Sequence, residues 1–216
     1  MDATTREGRV LRLKVWGKNA CFTRPELKVE RVSYEVMTPS AARGILEAIF
    51  WKPAMRWQVT QIDVLEPIAW QSVRRNEVGS TMSCHKPQLF IEAQRQQRSA
   101  LLLRNVAYTI HARLLLTEQA RHGDGIIKFE EMFQRRAHKG QSFHRPYLGC
   151  REFAADFELI PGDKPLPKPI RETRELGYML HDVSFDGASA VPYFFQASLF
   201  EGRLKVPAPA GRKGMP

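Results

Sequence analysis

The order of hydrophobic periodicities predicts an α+β fold, a ferredoxin-like βαββαβ domain followed by a small C-terminal antiparallel β-sheet extension. Three observations carry this expectation. Residues 41–51 and 126–136 repeat apolar side chains at helical spacing. The segments around them alternate apolar and polar, so the elements run strand, helix, strand, strand, helix, strand, the split βαβ pattern. A stretch at 163–169 with three prolines among lysines then separates this core from a last run of short alternating segments. The predicted division is 1–160 for the main domain, with a polar insertion at about 79–99, 161–206 for the extension, and 207–216 for a disordered tail. With 216 residues and 43% hydrophobic content the chain can bury one substantial core.

The first strand is read over residues 10–15, where Val10, Leu11, Leu13 and Val15 are apolar, Arg12 and Lys14 point the other way, and Gly17 is expected to end the run. Thr38-Pro39-Ser40 starts the first helix, whose apolar face carries Ile45, Leu46, Ile49 and Phe50, and Pro53 stops it. Residues 57–65 alternate through Trp57, Val59, Ile62 and Val64, and residues 68–73 continue or pair with them. Residues 79–99 are polar and read as an insertion or mobile loop. Residues 106–117 form a long strand signal that ends at the glycines near Gly123. Ile126, Phe129, Met132 and Phe133 mark the second helix, residues 153–159 a further strand, and residues 179–185, 193–200 and 203–206 a small sheet of hairpins. There is no internal repeat.

Thirty-three Lys and Arg against 23 Asp and Glu give a formal net charge of +10, which favours a polyanionic partner. No apolar run approaches the roughly 20 residues of a spanning helix, and residues 1–8 do not look like a signal, so a cytoplasmic protein with no membrane partner is expected. Cys21, Cys84 and Cys150 are odd in number and lack paired spacing, which predicts free thiols and neither a disulfide framework nor a zinc site. No metal site and no cofactor are expected, because no DxD pair, HExxH or calcium-loop spacing occurs.

The segment from Gln134 to Glu152 places two His, four Arg, one Lys and one Tyr in 19 residues. It reads as a phosphate-handling loop, in which Gly140 lets the backbone approach an anion, Arg135, Arg136, Lys139 and Arg145 supply charge, and His144 exchanges protons near neutral pH. A solvated basic loop without catalytic part is the plain alternative. Arg74 and Arg75 form a second basic set, and Lys52 with Arg56 beside Trp57 a third. Trp51, Trp57 and Trp70 are expected in the core rather than as base-stacking platforms. Metal-free RNA cleavage needs a base for the ribose 2′-OH, an acid for the leaving 5′ oxygen and cations for the phosphate. The candidates are His122, Lys128, His138, His144 and Tyr147, with His111 and His85 weaker.

The residues ACFTRPELKVERVSYEVMTPSAARGILEAIFWKP at 20–53, RRNEV at 74–78 and FHRPYLGCREF at 143–153 closely resemble the subtype I-C CRISPR-associated processing proteins of the fifth Cas family, within the RAMP superfamily. The resemblance implies a RAMP, RRM-like domain with a C-terminal β extension. It also implies a metal-independent endoribonuclease that cuts CRISPR precursor RNA at the repeat hairpin and stays on the crRNA 5′ handle in a type I-C Cascade complex. The implied partners are repeat RNA or crRNA and the other Cascade subunits, with duplex DNA a further fit for the same basic surface. Relatives use a Tyr at the end of the first helix and a Lys-His pair at the start of the second. Here those positions are Phe50, read as a core residue, and Lys128-Phe129. The expected catalytic set is therefore Lys128, His144, His138 and Arg145, and the expected RNA-binding set Arg43, Lys52, Arg74, Arg75, Arg135, Arg136, Lys139 and Tyr147. A subunit that holds the handle without cutting it is the competing expectation.

Overall fold

The computed structural model describes residues 7–27, 29–85, 88–186 and 189–208. Its elements are β1 (Leu11–Ala20), α1 (Pro39–Ile49), β2 (Met55–Val64), β3 (Trp70–Val78), β4 (Arg95–Leu116), α2 (Ile126–His138), β5 (Asp156–Ile160), β6 (Arg174–Asp186), β7 (Ser189–Phe200) and β8 (Arg203–Lys205). The strands make one antiparallel sheet in the order β5-β1-β4-β2-β8-β7-β6, and β3 pairs with β4 off that path. Both helices pack on this sheet and touch each other. The C-terminal hairpin is continuous with the main sheet, because β8 bonds to β2 through Gln61, Ile62 and Asp63.

Leu11, Leu13 and Val15 are buried while Arg12 and Lys14 are half exposed, as the alternation of β1 requires. The strand does not stop at Gly17 but runs to Ala20. A Cβ at Gly17 would lie 2.5 Å from Leu148 Cδ1 and 2.9 Å from the Ala154 carbonyl, so this glycine makes room for a neighbouring turn inside a strand. In β2 the buried residues Trp57 and Val59 change parity to Ile62 and Val64, and a bulge between Val59 and Gln61 inserts the extra residue.

The hydroxyl of Thr38 accepts from the Ala41 N–H at 3.3 Å and caps α1, with Pro39 at its first position. Ala42, Ile45, Leu46 and Ile49 bury its inner face. Helix α2 buries Ile126, Phe129, Phe133 and Ala137, and also Glu130, which Arg9 holds through Nε at 3.1 Å and its backbone N–H at 2.8 Å. Arg135, Arg136 and His138 in the last turn complement the helix dipole.

The polar stretch at 79–99 is corrected in part. Residues 95–99 belong to β4, a single 22-residue strand whose outer half pairs with β3 from Trp70 opposite Leu103 to Val78 opposite Arg95. Residues 95–99 have no buried face, so their pairing rests on backbone hydrogen bonds and leaves no apolar alternation to read. Asn105, at φ 49°, separates the hairpin half from the buried half that begins at Val106. Asn accommodates this left-handed conformation and a β-branched residue does not. Residues 209–216 of the expected tail lie outside the described residues.

In urea unfolding, Asn105→Gly is expected to keep a midpoint close to that of the parent. Asn105→Val should lose roughly 1–2 kcal/mol of stability.

Candidate RNA-processing site

The C-terminal end of α2 and the segment after it gather much of the predicted chemistry. Gly140, at φ 64°, closes the helix: its N–H donates to Ala137 O at 3.1 Å, and the Gln141 N–H donates to Arg136 O at 2.9 Å. The Phe143 N–H then donates to Ala48 O at 2.7 Å, which ties the segment to the last turn of α1. The exposed His144 ring stacks on Tyr147, centroids 6.1 Å apart and planes 27° from parallel, with Phe143 edge-on at 6.2 Å. His144 Nδ1 lies 3.3 Å from the Arg145 carbonyl. An exposed imidazole offers two ring nitrogens that can give or take a proton. Arg145 reaches Asp156 at 3.5 Å in a solvent-exposed pair, which is worth little.

Helix α2 separates this group from Lys128. Ten residues at 1.5 Å each put His138 roughly 15 Å along the axis from Lys128. Lys128 is exposed in the first turn and donates to Gly123 O at 3.3 Å. Phe50 and Phe129 meet at this end, where α1 finishes and α2 begins. Phe50 is 3% exposed and Phe129 0%, with ring centroids 6.0 Å apart. Trp57 Nε1 donates to Phe50 O at 3.0 Å, and Lys52 Nζ sits 5.6 Å from the Phe129 centroid. Phe50 is thus a core residue, as read from the sequence. The structure brings together His144 with Tyr147, and Lys52 with Phe50 and Phe129; it does not gather Lys128, His138, His144 and Arg145 into one cluster.

The remaining cations divide by pairing. Arg43 bonds Asp182 at 2.9 Å and Glu47 at 3.5 Å, and burial pushes the Glu47 carboxyl up. Arg75 contacts Glu152 at 2.5 Å and Glu77 at 3.5 Å, so part of its charge is already met. Among the described residues Lys52, Arg74, Lys128, Arg135, Arg136 and Lys139 have no ion pair, which leaves them for phosphate. The expectation of three core tryptophans fails at two: Trp57 is buried, but Trp51 is 54% and Trp70 39% exposed. Trp51 follows the helix end and Trp70 opens a strand that leaves the core, so neither has a packed layer above it.

Three features went unread. His111 is buried and bonds Asp63 at 2.8 Å, an internal pair between β2 and β4 far from the basic surface in character. Arg31, Arg75 and Arg98 share Glu77 and Glu152. Cys21 meets Cys150. Each joins residues at least 46 apart along the chain except within the β3–β4 hairpin, so no local pattern announces them. No group of metal-ligating side chains occurs among the described residues.

The family model described as CRISPR-associated protein (Cas_Cas5) matches residues 10–209. A Mannheimia succiniciproducens protein named CRISPR pre-crRNA endoribonuclease Cas5d is 49% identical over 213 residues, 91% of this chain and 94% of its own length. A Thermus thermophilus protein of the same name is 47% identical over 216 residues, 92% of this chain and 91% of its own. Among solved structures, one titled as a CRISPR-associated protein shares the fold with a TM-score of 0.71 at 22% identity, over 94% of this chain and 93% of that one.

Phe50→Ala should destabilise the protein by about 3–5 kcal/mol in chemical denaturation, since it empties a buried ring site. His144→Ala should change stability by no more than about 0.5 kcal/mol, because the ring is exposed.

Proposed function

Because the chain belongs to the CRISPR-associated Cas5 family, we propose that it is a pre-crRNA endoribonuclease that cuts the repeat RNA without a metal and stays bound to the 5′ handle in a type I-C Cascade complex. The observation that carries the cutting site is His144: exposed, stacked on Tyr147, and tied through Phe143 to the turn of α1 that ends at Phe50. Its imidazole takes the proton of the ribose 2′-OH, the freed oxygen attacks the adjacent phosphate, and the 5′ oxygen leaves with a proton. The proton donor is the Tyr147 phenol, whose ring stacks on His144. Arg145, next to His144 in the chain, offsets charge on the phosphate, and Lys128, at the other end of α2, holds a more distant phosphate.

Arg135, Arg136, His138 and Lys139 form the surface that holds the hairpin backbone, and Arg74 on the β3–β4 hairpin extends it. Trp51 and Trp70 offer exposed faces on which unpaired bases stack. The same positive surface suits duplex DNA. We read the strand order β5-β1-β4-β2 with α1 and α2 in the connections as a ferredoxin-like core over 1–160, and 161–206 as its β extension. No helix among the described residues is long and apolar enough to cross a membrane.

The test is single-turnover cleavage of a cognate repeat RNA in EDTA. The all-ribose strand should be cut and a strand with a 2′-deoxy sugar just upstream of the scissile phosphate should survive. His144→Ala should slow the cut by about 100-fold or more with RNA affinity retained; an unchanged rate removes His144 from the site. Tight binding without any cutting would favour the handle-holding subunit that buried Phe50 and Phe129 also suit.

Arg135→Ala and Lys139→Ala should each weaken RNA binding across sequences. Each should also lower the slope of log affinity against log salt by about 1.

A further inference from the structure

Outside the RNA site, the structure brings two thiols together that lie 129 positions apart in the chain. Gly149, at φ 84°, is what allows it: a Cβ there would fall 2.1 Å from the Cys21 carbonyl oxygen, so only glycine lets the 147–154 turn lie against the end of β1. The Cys21 N–H donates to Leu148 O at 3.0 Å, and Cys150 Sγ lies 3.6 Å from Cys21 O. The Thr23 hydroxyl touches both sulfurs, at 3.4 Å from Cys21 Sγ and 3.9 Å from Cys150 Sγ.

Their surroundings differ. Cys21 is buried beneath Ala100 and Leu102, whereas Cys150 is partly open to solvent with Arg31 Nη1 4.0 Å from its sulfur. The hydrogen bond from Cys21, then the Thr23 hydroxyl and Arg31, bring the Cys150 thiol down to about 6 against burial and the nearby Glu152, while the same contact and burial push Cys21 up. Cys150 is the sulfur open to solvent beside a guanidinium and Cys21 is the shielded one, the arrangement of an attacking and a resolving thiol.

We infer that Cys150 and Cys21 form a peroxide-reactive dithiol, in which Cys150 is the site of oxidation and Cys21 closes the disulfide. The Cys150 sulfur attacks a peroxide oxygen, the O–O bond breaks, and a sulfenic acid forms as hydroxide leaves and takes up a proton. The Cys21 sulfur then attacks the Cys150 sulfur, the S–S bond forms, and the S–O bond breaks to release water with the Cys21 proton. Two electrons pass from the dithiol to the peroxide, giving one disulfide and two waters. The disulfide fastens the turn between His144 to Tyr147 and Glu152 onto the end of β1. Exposed Cys84 has no such partner among the described residues and serves as an internal reference.

The experiment treats the full chain with about one equivalent of hydrogen peroxide, blocks remaining thiols with N-ethylmaleimide, and maps peptides without reduction. A Cys21–Cys150 linked peptide pair, lost on adding dithiothreitol and formed ahead of any change at Cys84, is the expected result. Cys21→Ser should stop the reaction at Cys150 sulfenic acid, trapped as its dimedone adduct. Oxidation of Cys84 before Cys150, or Cys150 oxidised while Cys21 is still fully alkylated in the parent chain, would overturn the assignment.

Discussion

The backbone hydrogen bonds of β4 are the constraint on which the other elements depend. Its inner half bonds to β1 on one side and β2 on the other, and its outer half bonds to β3. At about 3.4 Å per residue it spans roughly 70 Å, so one strand is both the middle of the core and the arm of a projecting hairpin. Asn105 makes the two uses compatible, since its left-handed turn lets the chain pass from a buried sheet centre to a solvated ribbon. The helices are placed as a result. α1 joins β1 to β2, the strands on either side of the inner half of β4, α2 joins β4 itself to β5, and their ends meet where α1 finishes and α2 starts.

The meeting of those ends determines what chemistry is possible there. Phe50 and Phe129 fill it with two buried rings that can neither give nor take a proton. The Phe143–Ala48 hydrogen bond fastens the segment that carries His144 and Tyr147 to the last turn of α1, while the rings secure the helix packing. Positive charge is distributed on the same principle. Arg31, Arg75 and Arg98 are gathered on Glu77 and Glu152 and knit the hairpin to the 147–154 turn, whereas the end of α2 keeps its cations unpaired and open to a polyanion.

Much of this was legible in the residues themselves. Both helices, the buried faces of β1 and β2, the long strand before α2 and the three C-terminal strands follow from spacing, because burial on one face imposes a period that composition must obey. The basic, glycine-punctuated segment at 134–152 and the substitutions Phe50 and Phe129 were equally plain. Residues 95–99 at the start of β4 were not, since a stretch with no buried face carries no period. The reach of β1 through Gly17 was also hidden, because that glycine answers to Leu148 and Ala154, far along the chain.

By itself, then, the sequence determined the order of elements, the composition of the core, the sign of the surface charge and the side-chain types available for proton transfer. Only the tertiary structure decided that β8 joins the C-terminal hairpin to β2, that Trp51 and Trp70 face solvent, that Arg75 is engaged while Arg135 and Lys139 are free, and that Cys21 lies on Cys150. The physical reason is common to all four. Periodicity reports whether a residue is buried, which is a local property of its element, but which partner it meets depends on how distant segments are stacked, and no spacing in the chain encodes that.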